Sequence, residues 1–166
     1  MTAAIVGTML TSSVTSFAQD KKLESPREHV TGKTAGATIN IDYGSPAVKG
    51  RKIWGELVSY KEVWRTGANE ATTFETDKDI MVEGQKLPAG KYSFFAIPEE
   101  TGLWTIIFNK KPDQFGAFTY MKKDDAIRVF VAPVKRAANQ ERLIYTINST
   151  GFVLSWEYLD IPVRIK

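Results

Sequence analysis

The feature that most constrains this chain is a two-residue rhythm of apolar and polar side chains. It starts after Pro26 and is broken every few residues by Gly, Pro, Asn or Ser. In a strand successive side chains point to opposite faces, so this rhythm sends one face to a core and the other to water; a helix needs apolar residues three and four apart instead. Ala37 to Tyr43 shows it cleanly, with Ile39, Ile41 and Tyr43 on one face and Thr38, Asn40 and Asp42 on the other. Further strands are expected at 72–76, 79–83, 91–97, 103–109, 126–132, 142–148, 152–158 and 161–165. Between them lie Gly84-Gln85, Pro88-Ala89-Gly90, Pro98 to Gly102 and Ser149-Thr150-Gly151, which supply the residues hairpin turns need, with a positive φ expected at Gly90.

The pattern predicts an all-β fold: a single-domain antiparallel β-sandwich or jelly-roll-like barrel. Leu103-Trp104-Thr105-Ile106-Ile107-Phe108 is apolar on both faces and belongs in the middle of a covered sheet. Trp156 is expected to share a core face with Phe152, Leu154 and Tyr158, and Pro162 makes the last strand an edge. Only the stretch 48–71 escapes the alternation. There Ile53, Trp54, Leu57 and Val58 recur at helical spacing, which fits one short helix or an irregular crossover.

The chain has 166 residues and no cysteine, so thiol nucleophiles, thiolate metal sites and disulfides are all excluded, and hydrophobic burial must hold the domain together. The first nineteen residues carry no charged side chain. Their short apolar block, Ala3 to Leu10, cannot span a bilayer, and Ser16-Phe17-Ala18 places small residues where a signal peptidase cuts. No Lys or Arg precedes the block and no cysteine follows it to take a lipid. The expectation is a signal peptide at 1–18, one domain at 19–166, and a periplasmic or extracellular location. No transmembrane segment is expected.

The formal charge of +3 is a weak excess, and its lysines and arginines are scattered, so nucleic acid is a poor partner. The one histidine, His29, lies near the start of the mature chain, where a mobile terminus would position nothing, so neither a metal site nor a Ser-His-Asp triad is expected. Ser45 sits in Tyr43-Gly44-Ser45-Pro46, which is not a nucleophile elbow, and no phosphate loop or cofactor motif appears. Paired carboxylates are not excluded, with Asp42, Glu56, Glu62 and Glu70 the acids nearest the irregular stretch.

That stretch holds the densest chemistry in the chain: Arg51, Trp64, Arg65, Asn69 and Glu70 are the candidate ligand-binding residues. Arg51 and Arg65 have the planar forks that grip carboxylates or phosphates, and Trp54 and Trp64 are free to stack on a ligand. A structural alternative stands beside this one. Trp64 would plug one end of the sandwich, Arg65 would pair with Asp42 or Glu70, Gly67 would supply a positive φ and Asn69 would close a turn.

The run Ile41-Asp42-Tyr43, Pro46 and Lys49-Gly50-Arg51, then Val63-Trp64-Arg65-Thr66-Gly67-Ala68-Asn69-Glu70-Ala71-Thr72, then Leu87 to Ser93 and Ile97-Pro98, resembles domain-of-unknown-function family 2911. The resemblance extends from Ser25 to the final strands and implies an exported bacterial envelope protein, without an established activity. Ser45 stands where the family pattern leads one to expect Arg, and Ser59 where it leads one to expect Pro. The expected function is binding of a small-molecule or glycan ligand, anionic or carbohydrate, through the Arg51 to Glu70 region. An acid-dependent hydrolase and a structural or partner-binding protein without a small-molecule site are the alternatives.

Overall fold

The structure is a computed structural model that describes residues 24–166, so the expected signal segment lies outside the described residues. Ten strands follow in order: β1 (Arg27–Thr34), β2 (Ala37–Gly44), β3 (Thr72–Thr76), β4 (Ile80–Val82), β5 (Gln85–Leu87), β6 (Gly90–Ile97), β7 (Trp104–Asn109), β8 (Asp125–Val131), β9 (Val134–Asn148) and β10 (Gly151–Arg164). A 3₁₀ turn at Lys122–Asp124 is the one helical element among the described residues. None of their helices is long and apolar enough to cross a membrane.

β1, β2, β3, β6, β7 and β8 form an open antiparallel sheet in that spatial order. β9 and β10 make a long hairpin that lies over one face of the sheet, giving a sandwich rather than a closed barrel. Ile39, Ile41 and Tyr43 are buried as the alternation in β2 requires. Phe74 and Phe94, both packed on Phe108, meet Phe152 of the hairpin at 5.4 Å between ring centroids, and Phe94 also meets Tyr145. Each such tilted or edge-on pair adds about 0.5–1.5 kcal/mol beyond its area. β6 and β7 are buried on both faces because a second cluster, Ala71, Phe95 and Ile107, is roofed by Val63, Ile97, Ala117 and Tyr120 on the outer side.

Several local expectations are corrected. β1 contains His29, which is therefore held on a strand with Nδ1 2.9 Å from Asp42 Oδ1, not on a loose terminus. β5 begins within a segment read as turn. The two last expected strands are one strand, β10, with a bulge: the register shifts at Glu157, whose φ is +54°, so Tyr158 turns outward instead of joining Trp156 in the core. Pro162 lies past the last residue pair with β9, where its missing N–H costs no ladder bond. At Gly90, by contrast, the expected positive φ is found, +151°, where the residue opens β6.

The segment between β2 and β3 is an irregular crossover, not a helix. Tight turns break up the helical spacing of Ile53, Trp54, Leu57 and Val58: Gly55 N–H donates to the Val58 carbonyl and Val58 N–H to the Ile53 carbonyl. The crossover then enters the sheet. Trp64 and Ala96 exchange backbone hydrogen bonds of 2.8 and 2.9 Å, so Trp64 extends the β6 ladder beyond the first residue of β3.

Candidate functional site

The crossover is clamped to the sandwich by close backbone contact. A Cβ on Gly44 would run into the Ala68 carbonyl, and one on Gly67 would stand 2.9 Å from the Gly44 carbonyl oxygen, so both positions need glycine for approach. Gly67 is not among the positive-φ residues; Thr66 (φ +53°) and Asn69 (φ +62°) carry the left-handed turns. A β-branched residue in that region is strained, and Thr66 is held there by its partners. Its hydroxyl donates to Phe94 O (2.9 Å), while its carbonyl accepts from Tyr145 Oη (2.8 Å) and Thr72 Oγ1 (3.1 Å). Burial pushes the Tyr145 hydroxyl far above its ordinary pKa, so it remains a donor.

The clamped loop forms one wall of a pocket of about 280 Å³ at the end of the sandwich. Arg51, Trp64, Arg65 and Asn69 all line it, with Lys49, Leu57 and Trp156. Glu70 does not. It is 62% exposed, lies 4.0 Å from Arg27 and lines a separate groove with Asp42, Lys91 and Asp113. The expected five-residue site is therefore four residues on one pocket and an acid on another.

The four tryptophans of the chain meet behind this pocket. Trp54 packs edge-on against Trp64, Trp104 and Trp156 at 5.6, 5.0 and 5.8 Å, and Trp64 stacks on Trp156 at 6.0 Å and 16°. Trp54 Nε1 donates to Glu157 Oε2 (3.0 Å) and Trp104 Nε1 to the Glu99 carbonyl (3.0 Å). Trp156 is 1% exposed, yet its Nε1 has no acceptor among the described residues. Alternation marked Trp156 as core, which is correct for its rings, but alternation carries no information about whether an indole N–H is satisfied.

Arg65 is the second unsatisfied donor. It is half-buried, makes no ion pair or side-chain hydrogen bond among the described residues, and its Nε is buried without an acceptor. The pairing with Asp42 or Glu70 is not formed, since Asp42 faces His29 and Glu70 faces Arg27. Burial lowers the Arg65 pKa from its ordinary value, the sign expected of a cation that loses water without gaining an acid. Arg51 behaves differently: its guanidinium donates to Val48 O (3.1 Å) and Ala47 O (2.6 Å), bracing the turn at the pocket rim. Lys49 is paired with Glu24 at 3.0 Å, and Asn69 Nδ2 reaches the Ser25 carbonyl at 3.4 Å.

Ser45 is structural, its hydroxyl donating to Leu143 O inside the sandwich (2.8 Å). No group of three His, Asp or Glu residues capable of holding a metal occurs among the described residues.

Fold and site together define a class: an antiparallel β-sandwich whose long β2–β3 crossover builds a tryptophan- and arginine-lined pocket at one end. The chain belongs to the family described as Protein of unknown function (DUF2911), which matches residues 25–165. No curated protein and no solved structure matches it.

Proposed function

We propose that this domain is an exported binding module, periplasmic or extracellular, that takes a small anionic ligand with an apolar or planar body into the Trp64–Arg65 pocket. One observation carries the reading: two buried donors, Arg65 Nε and Trp156 Nε1, belong to residues lining the same pocket and have no acceptor among the described residues. Leaving a buried donor unpaired costs about 1–3 kcal/mol, and a charged one more, so an acceptor oxygen brought by a ligand removes a standing penalty. Arg65 supplies the charge, Trp156 a neutral donor, and Leu57 and Trp64 the apolar wall. Among the described residues the only acid on this pocket is Glu24, already engaged by Lys49, which favours binding over acid–base chemistry.

Melting curves with millimolar benzoate, the neutral analogue benzamide and inorganic phosphate test this. Benzoate or phosphate should raise the melting temperature of the parent protein and benzamide should not, following the usual dependence on free ligand. Arg65→Met should abolish the rise. Trp156→Phe, which keeps a ring but removes the N–H, should weaken it. A parent protein that responds to neither anion defeats the reading.

The hydrolase alternative rests on the neighbouring groove, where Asp42, Glu70 and Asp113 come together with Arg27 and Lys91. It requires an activity that Glu70→Gln removes while leaving anion-induced stabilisation intact.

A further inference from the structure

The connection between β7 and β8 carries a surface that the pocket does not use. From Lys110 to Lys123 it places a lysine pair at each end and Phe115, Phe118 and Met121 between them. Phe115 is 61% exposed, Phe118 84% and Met121 47%.

These apolar tips are held outward by a well-anchored loop. Ser93 Oγ donates to Lys111 O (2.6 Å), Asn109 Nδ2 to Met121 O (3.2 Å) and Gln114 Nε2 to Asn109 Oδ1 (3.1 Å). Ala117 and Tyr120 face inward onto Phe95 and Ile107. Tyr120 Oη donates to Asp125 Oδ2 at 2.8 Å. Gly116, at φ +63°, makes the turn between the two phenylalanines, and a Cβ there would come within 2.9 Å of the Phe118 ring. The loop thus spends its anchoring on Ala117 and Tyr120 and leaves the larger phenylalanines in water. On the same side of the sheet Phe130 is also 61% exposed, paired in register with Thr105.

Within the loop the charge is mostly basic, while Phe115 also borders the groove in which Asp42, Glu70 and Asp113 lie with Arg27 and Lys91. Lys111 is paired with Asp124 and Arg128 with Asp125, whereas Lys110, Lys122 and Lys123 form no ion pair among the described residues. Asp113 is the one acid of the loop left unpaired among them. Apolar tips flanked by unpaired lysines suit a planar anionic interface, where rings enter the headgroup layer and ammonium groups meet lipid phosphates. A protein partner would favour broader contact with rim charges of both signs.

We propose that the Lys110–Lys123 loop docks this domain onto an anionic lipid surface, with Phe115 and Phe118 inserting and Lys110, Lys122 and Lys123 holding the phosphates. None of Lys110, Phe115, Phe118, Lys122 and Lys123 lines the Trp64–Arg65 pocket.

Co-sedimentation of the full chain with vesicles of phosphatidylcholine alone, or with phosphatidylglycerol added, tests the proposal. Comparison between variants cancels any contribution from the common N-terminal segment. Phe115→Ser with Phe118→Ser should weaken partitioning to the anionic vesicles at least about tenfold. Each of Lys122→Ala and Lys123→Ala should weaken it about fivefold, the equivalent of roughly 1 kcal/mol per surface cation. Raising salt to half molar should weaken the parent but matter less once both lysines are gone. Unchanged melting temperatures and an unchanged near-ultraviolet signal from the tryptophan cluster show that the variants are folded. Equal binding by parent and phenylalanine variant overturns the proposal. So does a dimer of the parent, seen by sedimentation without vesicles, that the same substitutions dissolve, because the occupant is then a second copy of the chain.

Discussion

Arg65 and Arg128 are both partly buried and both lie against the β7–β8 loop, yet their surroundings are opposite. Arg128 donates through Nε to Asp125 Oδ2 at 2.7 Å and through Nη2 to the Tyr120 hydroxyl. Asp125 also accepts from Asn109 (2.9 Å) and from Tyr120. Burial alone would pull the Arg128 guanidinium down, but hydrogen bonds to Asp125 and Tyr120 outweigh it and leave its pKa above the ordinary value. Arg65 has Gly116 beside its Nη1 and no paired acid among the described residues, and burial lowers its pKa. The first arginine belongs to a closed polar network that fixes a loop; the second has no such network among the described residues.

The largest break of this comparison is Asp125→Ala. It leaves Arg128, Tyr120 and Asn109 without their shared acceptor and should destabilise the fold by roughly 3–5 kcal/mol, at the lower end because Arg128 keeps some water contact. Urea unfolding measures it. A loss below about 1 kcal/mol would place Arg128 in the same category as Arg65.

Gly44→Ala drives a methyl into the Ala68 carbonyl and should cost roughly 1–3 kcal/mol by overpacking, while also displacing the pocket wall. Loss of anion-induced stabilisation at a temperature where the variant is still folded separates the two effects.

Tyr120→Phe removes one member of the network and should cost about 1 kcal/mol at neutral pH. It should also change the alkaline limb. Burial and the bond to Asp125 push the Tyr120 hydroxyl up to about 12 from 10.0, so the folded state holds this proton more tightly than the unfolded state does. Its contribution is therefore complete below pH 10 and lost as pH rises from 10 towards 12. Denaturation curves across that window should fall less steeply for Tyr120→Phe than for the parent.

The smallest expected effect is the most informative. Arg65→Met should leave stability within about 0.5 kcal/mol of the parent, or raise it, because no ion pair is broken and an uncompensated buried charge is removed. A loss of several kcal/mol would show that Arg65 has a structural partner after all.

Much of the framework was legible from alternation. β2, β3, β6, β7 and β8 fall within a residue or so of their expected limits, since the two-residue period needs only local information. β1 was missed because Arg27, Glu28 and His29 present no apolar alternation; this strand exists by pairing with β2 along its whole length. The bulge at Glu157 was equally invisible, since alternation continues through it while the backbone does not.

The sequence by itself determined that the chain is an antiparallel β protein held by an apolar core, that it belongs with its family, and that the 48–71 stretch departs from the strand pattern. Period, turn residues and motif are properties of neighbours along the chain. Tertiary structure alone decided which members of that stretch share a pocket: Trp64, Arg65 and Asn69 converge with Arg51, while Glu70, one residue past Asn69, lies on another groove beside Arg27. It alone decided that, among the described residues, Arg65 lacks the acid that Arg128 has and the deeply buried Trp156 has no acceptor for its N–H. Whether a donor is satisfied depends on an acceptor tens of residues away brought within about 3 Å, a distance set by how β9–β10 and the crossover pack and by no local pattern.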